Sequence, residues 1–346
     1  MAGEYDQGWL SHLRADPLPW LLDEGEPAVR HLTLRDLLGR VDDDPELARA
    51  RHAALTNGPI AAILSAQHPH GYWEHPGSGY APKYTGTLWQ VIFLEQLGAD
   101  GSDPRIRAAC DYVLRHAQVP AGGFGVSRSE DRPPPPSAGL LCLTGNLVRA
   151  LVGLGYLEDD RVQRAVQWLA QIVTGEGVDR YYSLTCGPLF RCGNNEQLPC
   201  AWGAVKVLGA LARVPEGRRT PLVEEAVRVG AGFLLSRDPA VADYPMGYGN
   251  DAPNSSWFKL GFPLGYVTDV LQNLEVLCEI GHGGDPRTAA ARAWVLSLQG
   301  DSGRWRNQYP YTGKLWKDID AKNAPSKWVT LRACRMLRWS TGRDGA

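Results

Sequence analysis

The chain has 346 residues, 44% hydrophobic and 21% charged, a balance that suits a globular protein with a sizeable core. A formal charge of −2 gives no electrostatic case for a nucleic-acid partner, no apolar run is long enough to span a bilayer, and the opening Met-Ala-Gly-Glu-Tyr-Asp lacks a secretory pattern. Seven cysteines, an odd number in a chain too long to need staples, point to a reducing, cytoplasmic setting rather than a disulfide framework.

Six apolar helical runs end alike, at Leu38-Gly39, Leu97-Gly98, Leu154-Gly155, Leu211-Ala212, Ile280-Gly281 and Leu337-Arg338. Successive ends are 59, 57, 57, 69 and 57 residues apart, so one unit recurs along the chain. The first unit opens on a broken segment around 9–22, interrupted at Pro17 and Pro19. Later units pair a charged, amphipathic helix (104–117, 159–173, 221–236, 286–298) with a more apolar one rich in glycine and alanine. The apolar set covers 29–39, 85–98, 141–155, 200–212, 264–281 and 326–338. Asp44-Pro45, Asp103-Pro104, Thr220-Pro221 and Asp285-Pro286 each put a capping oxygen before a proline that lacks a donor to waste; Asp160 serves without proline. Helices apolar all round belong inside. The predicted fold is all-α: a single α/α toroid over 1–346, six inner and six outer helices, with long loops on one rim and no internal boundary. An open solenoid is the alternative.

Gln67-His-Pro-His-Gly71-Tyr-Trp73 and Gln299-Gly-Asp-Ser-Gly303-Arg-Trp305 share the pattern Gln-x-x-x-Gly-x-Trp, and the stretch from Gln118 to Phe124 is a looser copy. With these motifs and the period, the chain resembles the terpenoid cyclase and protein prenyltransferase toroid superfamily, whose QW repeats have this form. The resemblance implies that these glutamines and tryptophans tie neighbouring helix ends, and that an isoprenoid or other apolar molecule sits in a central cavity.

Aromatics near inner helix starts, Tyr84, Trp89, Trp202, Trp257, Trp316 and Trp328, are the candidate lining, since aromatic faces stabilise cations; plain core packing is the alternative. Lys83, Lys259, Lys314 and Lys327 are candidates to meet a diphosphate at the mouth. Cyclases of the superfamily protonate an alkene with Asp-x-Asp-Asp, and Asp318-Ile-Asp320-Ala321 is the nearest stretch here. It lacks the last aspartate and has Lys317 and Lys322 beside it, which favour ionised carboxylates. Asp269, inside an apolar run, is the other candidate acid.

Cys186, Cys192 and Cys200 fall in a loop broken by glycine, asparagine and proline, and Cys142 lies about one repeat before Cys200. Four thiolates would suit a structural Zn²⁺; reduced, half-buried thiols are the alternative. The Asp and His that accompany zinc in the prenyltransferases have no counterpart, which argues against protein prenylation. The leading expectation is an isoprenoid-handling protein similar to a terpene cyclase, with acid-initiated cyclisation as the reaction implied. A noncatalytic lipid- or protein-binding toroid with structural zinc, and a carbohydrate-active α/α toroid, are the alternatives.

Overall fold

Helix starts follow the capping chemistry of the sequence. Asp44, Asp103, Thr220 and Asp285 each accept a hydrogen bond from a backbone N–H two or three residues on, ahead of a proline. In the unit without proline the cap is Asp159, whose carboxylate accepts from the Arg161 N–H at 2.8 Å; Asp160 is already helical.

The computed structural model describes residues 8–127, 132–177 and 186–341. Of the proline-rich connection 127–137, residues 128–131 lie outside the described residues. A 3-10 turn at Gly8–His12 and the short α1, Leu18–Leu21, make up the broken opening segment. Next come α2, Pro27–Asp36; α3, Pro45–Thr56; α4, Gly58–Ser65; and α5, Thr87–Gln96. They are followed by α6, Pro104–His116; α7, Leu141–Gly153; α8, Asp160–Thr174; α9, Ala201–Leu211; and α10, Pro221–Leu234. The last three are α11, Val270–Glu279; α12, Ala289–Ser297; and α13, Lys327–Thr341.

The apolar helices contact one another in series: α5 on α7, α7 on α9, α9 on α11, α11 on α13, and α13 on α2. Charged helices flank them, α6 on α5, α8 on α7, α10 on α9 and α12 on α11. Every residue of α5 from Thr87 to Leu94 is buried, as its all-round apolar sequence requires. Glycine sets the closest approach. A Cβ on Gly145 of α7 would stand 2.7 Å from the Lys206 carbonyl carbon of α9, a distance that real side chains do not tolerate.

The two Gln-x-x-x-Gly-x-Trp loops and their looser copy make one recurring joint. Gln67 Nε2 donates to the Arg105 carbonyl at 2.9 Å, Gln118 Nε2 to that of Arg161 at 2.7 Å, and Gln299 Oε1 accepts from the Arg14 N–H at 2.9 Å. The motif glycines, at φ 87°, 111° and 72°, face the carbonyl oxygens of Ala108, Arg164 and Ala15. Trp73 and Trp305 are fully buried, and each indole N–H donates at 2.7 Å to a carbonyl, of Ile63 and Val295 respectively. Backbone N–H groups of Trp73, Phe124 and Trp305 donate to Thr87, Thr144 and Thr330 in the following apolar helix. Through Gln299 the last such joint meets the opening segment.

The helix boundary that differs most from the sequence reading is the start of α11. The run 264–281 becomes helical only at Val270, because Pro263 and Gly265 break the approach, and Asp269 is the N-cap rather than an interior residue.

Candidate functional site

The inner helices carry few charges, and most of those converge. Arg35 and Asp36 of α2, Glu95 of α5, Arg149 of α7, Glu275 and Glu279 of α11, and Arg332 and Arg335 of α13 surround a cavity of about 90 Å³ at the C-terminal ends of these helices. Arg149 grips Glu279 with two bonds, 2.8 and 2.9 Å, and Arg335 pairs with Asp36. Burial opposes ionisation of Asp36, but the guanidiniums of Arg335 and Arg35 outweigh it and hold the carboxyl well below the usual range. Burial likewise opposes ionisation of Glu279 and is outweighed by Arg149. This end of the inner helices is therefore lined largely by ion-paired side chains.

The larger cavity, about 360 Å³, lies at the opposite ends, where loops enter the inner helices. That volume falls in the usual range for small-molecule sites, roughly 300–1,000 Å³. Leu140, Leu141 and Cys142 at the start of α7, and Cys200 through Gly203 at the start of α9, form one wall. Tyr80 and Tyr266 come from the approaches to α5 and α11, and Tyr244, Met246 and Trp257 from the long 237–260 loop. No Asp, Glu, His, Lys or Arg is among the described residues lining it.

Two loops build this wall jointly. Asn195 Nδ2 donates to the carbonyls of Pro199 and Pro245, at 3.0 and 3.1 Å, while its Oδ1 accepts from the Gly247 N–H at 3.0 Å. Glu196 accepts from the Tyr248 N–H at 2.6 Å. These bonds hold the cysteine loop in a costly shape: Leu189, Phe190, Glu196 and Gln197 have φ of 54°, 61°, 54° and 63°, and each such non-glycine residue costs on the order of 1 kcal/mol or more.

The four candidate thiols separate here. Cys186 and Cys192 face each other in a two-stranded antiparallel ladder, β1 (Cys186–Gly187) on β2 (Arg191–Cys192). The buried Cys186 thiol nevertheless points to the Gly139 carbonyl, at 3.5 Å, and does not line the cavity. Cys142, Cys192 and Cys200 do line it. Contact with Cys142, then burial, pushes the Cys200 thiol up to about 12, although Cys192 acts the other way. The Cys192 thiol is raised further, first by Cys200 and then by burial. Cys142, Cys192 and Cys200 are free thiols.

The other predicted residues scatter. Trp202 and Trp257 line the cavity. Trp89 is buried beside it and donates to the Tyr80 carbonyl at 2.9 Å, with Tyr84 packed on its ring at 5.0 Å. Trp328 stacks on Phe262 at 4.4 Å, and the exposed Trp316 ties to the Thr85 carbonyl at 3.1 Å. None of the four lysines lines either cavity. The Lys83 ammonium sits over the rings of Tyr84, Trp89 and Tyr266, 5.1, 5.9 and 5.4 Å from their centres. Lys259 reaches Ser255, Lys314 is exposed, and Lys327 pairs with Asp23 at 3.1 Å.

The three candidate acids lie outside both cavities. Asp318 is exposed and accepts from the Gly313 N–H. Asp320 accepts from Ser326 at 2.6 Å and Asn307 at 3.0 Å; burial raises its pKa against these two bonds. Asp269 accepts from the Gly261 and Gln272 N–H groups and from both terminal nitrogens of Arg332, 3.0 Å each. Its lone pairs are committed to capping and clamping.

Lys206, which sequence reasoning passed over, is 2% exposed in the middle of α9, between the two cavities. Its ammonium donates to Gln272 at 2.5 Å and to the Val267 carbonyl at 3.4 Å. Burial lowers its pKa to about 7, with Asp269 pulling the other way. The signal was one charge inside Val205-Lys206-Val207, in an otherwise apolar helix.

This arrangement of packed helices recurs in solved structures. A glycosyl hydrolase family 88 protein from Bacteroides vulgatus is similar at a TM-score of 0.50 and 12% identity, covering 97% of this chain and 100% of that one. A polysaccharide lyase is similar at 0.50 and 13% identity, over 91% of this chain and 89% of that one. The fold is α/α toroid-like. At these identities the likeness is one of fold alone. A type II terpene cyclase from Scytonema, MstE, is similar at a TM-score of 0.31 and 13% identity, over 81% of this chain and 95% of that one, a likeness too distant to carry an argument. No protein-family model matches the chain, and no curated protein matches its sequence.

Proposed function

We propose that the chain is a single α/α toroid of six inner and six outer helices that takes an isoprenoid, or an apolar molecule of similar size, in the loop-side cavity. The observation that carries this reading is the wall: Leu140, Leu141, Met246, Trp202, Trp257 and Tyr244, with no charged side chain among the described lining residues. Burying an apolar ligand against it removes hydrocarbon from water at no desolvation cost to an ion. A sugar would need partners for its hydroxyls. Asn195 is already spent on the loops, and Asn254 caps the turn at Ser256. Glycoside hydrolysis by paired carboxylates would also need two acids facing the ligand. Acid-initiated cyclisation would need one, and Asp269, Asp318 and Asp320 stand elsewhere. Binding of an apolar ligand is therefore the reading favoured, ahead of cyclisation.

Trp202 and Trp257 supply the test. Titrating the protein with geranylgeraniol is expected to quench tryptophan emission saturably, and Trp202→Ala to weaken binding about tenfold, the worth of one aromatic contact. Saturable binding of neutral or uronic-acid oligosaccharides, with no response to the isoprenoid alcohol, would overturn the reading.

A further inference from the structure

Lys83 is an exposed residue, yet its ammonium lies over three rings at once, 5.1 Å from the centre of Tyr84, 5.9 Å from Trp89 and 5.4 Å from Tyr266. The rings are tilted against one another like the walls of a box, Tyr84 on Trp89 at 58° and Trp89 on Tyr266 at 68°. Each wall is held in place. The Trp89 indole is fully buried and donates to the Tyr80 carbonyl. Tyr84 has a left-handed backbone, φ 76°; its carbonyl accepts from Gln90 Nε2 at 2.8 Å, and Tyr311 packs on its ring at 4.5 Å. Tyr266 follows Gly265, where a Cβ would stand 2.7 Å from the Tyr311 hydroxyl oxygen. Among the described residues Lys83 has no carboxylate partner, so ring faces stand where a counter-ion would.

The box is wider than the group inside it requires. An atom touching a ring face sits about 3.5–4.0 Å away, and all three distances exceed that by more than about 1 Å. Methyl groups on the nitrogen, each at a C–N bond of about 1.45 Å and turned to a ring, would stand about 3.7–4.5 Å from the three centres. Three methyls would meet three rings, leaving a fourth substituent to lead out. A primary ammonium is strongly hydrated, whereas a quaternary one has no N–H to give to water and loses less on entering between aromatic faces. Tyr266 is also a wall of the loop-side cavity, as is Tyr80, so the cage and the cavity adjoin. We propose that Tyr84, Trp89 and Tyr266 form a cage for a trimethylammonium group, that the Lys83 ammonium stands in for that group in the unliganded protein, and that the hydrocarbon attached to it enters the cavity past Tyr266. The incoming head displaces Lys83, an exposed side chain, into water. The place of the tail rests on the cavity reading; the cage does not.

Calorimetric titration of the full chain, with each amphiphile kept below its micellar concentration, tests this. Decyltrimethylammonium is expected to bind about tenfold tighter than decan-1-ol, which has the same tail and no charge. Choline should likewise be held over 3,3-dimethylbutan-1-ol, its neutral counterpart in shape, which probes the cage without a tail. Lys83→Ala removes the competing cation and should tighten decyltrimethylammonium binding severalfold, whereas Tyr84→Leu should abolish the preference for the charged head. Equal affinity of the wild type for decyltrimethylammonium and decan-1-ol overturns the proposal without recourse to any variant. Decanoate bound more tightly than decyltrimethylammonium, with that preference lost in Lys83→Ala, overturns it in favour of a lysine that meets anionic heads. Geranylgeraniol binding with no preference for either cation removes the cage alone; choline held over its neutral counterpart, without geranylgeraniol binding, removes the cavity reading alone.

Discussion

Arg332→Met is the sharpest probe of how the inner helices are held. The guanidinium is 3% exposed and makes five bonds: two to Asp269 at 3.0 Å each, two to Glu275 Oε2 at 3.0 and 2.7 Å, and one to the Gly261 carbonyl at 2.6 Å. Methionine keeps much of the volume and none of the bonds, and leaves two buried carboxylates without their cation. Removing one partner of a buried pair costs about 3–5 kcal/mol; one cation here serves two anions, which places the loss near 5 kcal/mol, comparable with the whole stability of many domains. Burial already raises the Glu275 pKa in the wild type against the pull of Arg332, and the substitution raises it further. With the folded-state pKa above the unfolded one, the folded chain holds a proton that the unfolded chain has released. Stability then falls as pH rises above the unfolded carboxyl pKa of about 4. Urea denaturation followed by far-ultraviolet circular dichroism should show the largest deficit at pH 8 and a smaller one at pH 5. Adding Glu275→Gln should restore part of the loss. A deficit under about 1 kcal/mol at pH 8, or one that does not change with pH, would refute the clamp as the source of stability.

Lys206→Met should remove a pH slope from the wild type. With the folded pKa lowered to about 7 from 10.5, only the unfolded chain holds the proton between those values, so wild-type stability climbs from pH 7 to pH 10. The variant should be more stable at pH 6 by about 2–4 kcal/mol, less whatever Gln272 loses as a partner, with the gap shrinking at pH 9; parallel pH profiles would exclude the buried amine as the cause. Gly303→Ala sets a Cβ 2.0 Å from the Ala15 carbonyl oxygen at a φ of 72°, and should lower the melting temperature by several degrees, whereas Gly281→Ala, equally left-handed at φ 89° but with open space around it, should cost less. Equal losses at the two glycines would show that backbone conformation, not the joint, sets the cost.

Much of the architecture was legible because it repeats locally. The Asp-Pro caps, the glycine ends and the Gln-x-x-x-Gly-x-Trp loops are short-range signals, and each sits at a helix boundary in the fold. The neighbourhood of Cys142 and Cys200 was legible for the same reason: residues one unit apart on adjacent inner helices stand side by side. Contacts between distant units were not. Arg149 and Glu279 are 130 residues apart, and nothing local marks them as partners. Asp269 read as an interior acid because periodicity cannot show where Pro263 and Gly265 delay a helix. Cys186 read as a ligand because spacing shows which residues share a loop, not which way a thiol turns.

The joint between the last loop motif and the opening segment bears on how the chain is made. Gln299 and Arg14 are 285 residues apart, so this contact can form only after that whole intervening length has been synthesised. Until then Trp9, which ends at 1% exposure in the core, has no α13 to pack against. Units in the middle of the chain can bury their apolar faces on neighbours that emerge within seconds. The segment around Trp9 must wait for those later residues, carrying exposed tryptophan that is open to chaperones and to misassociation in the meantime.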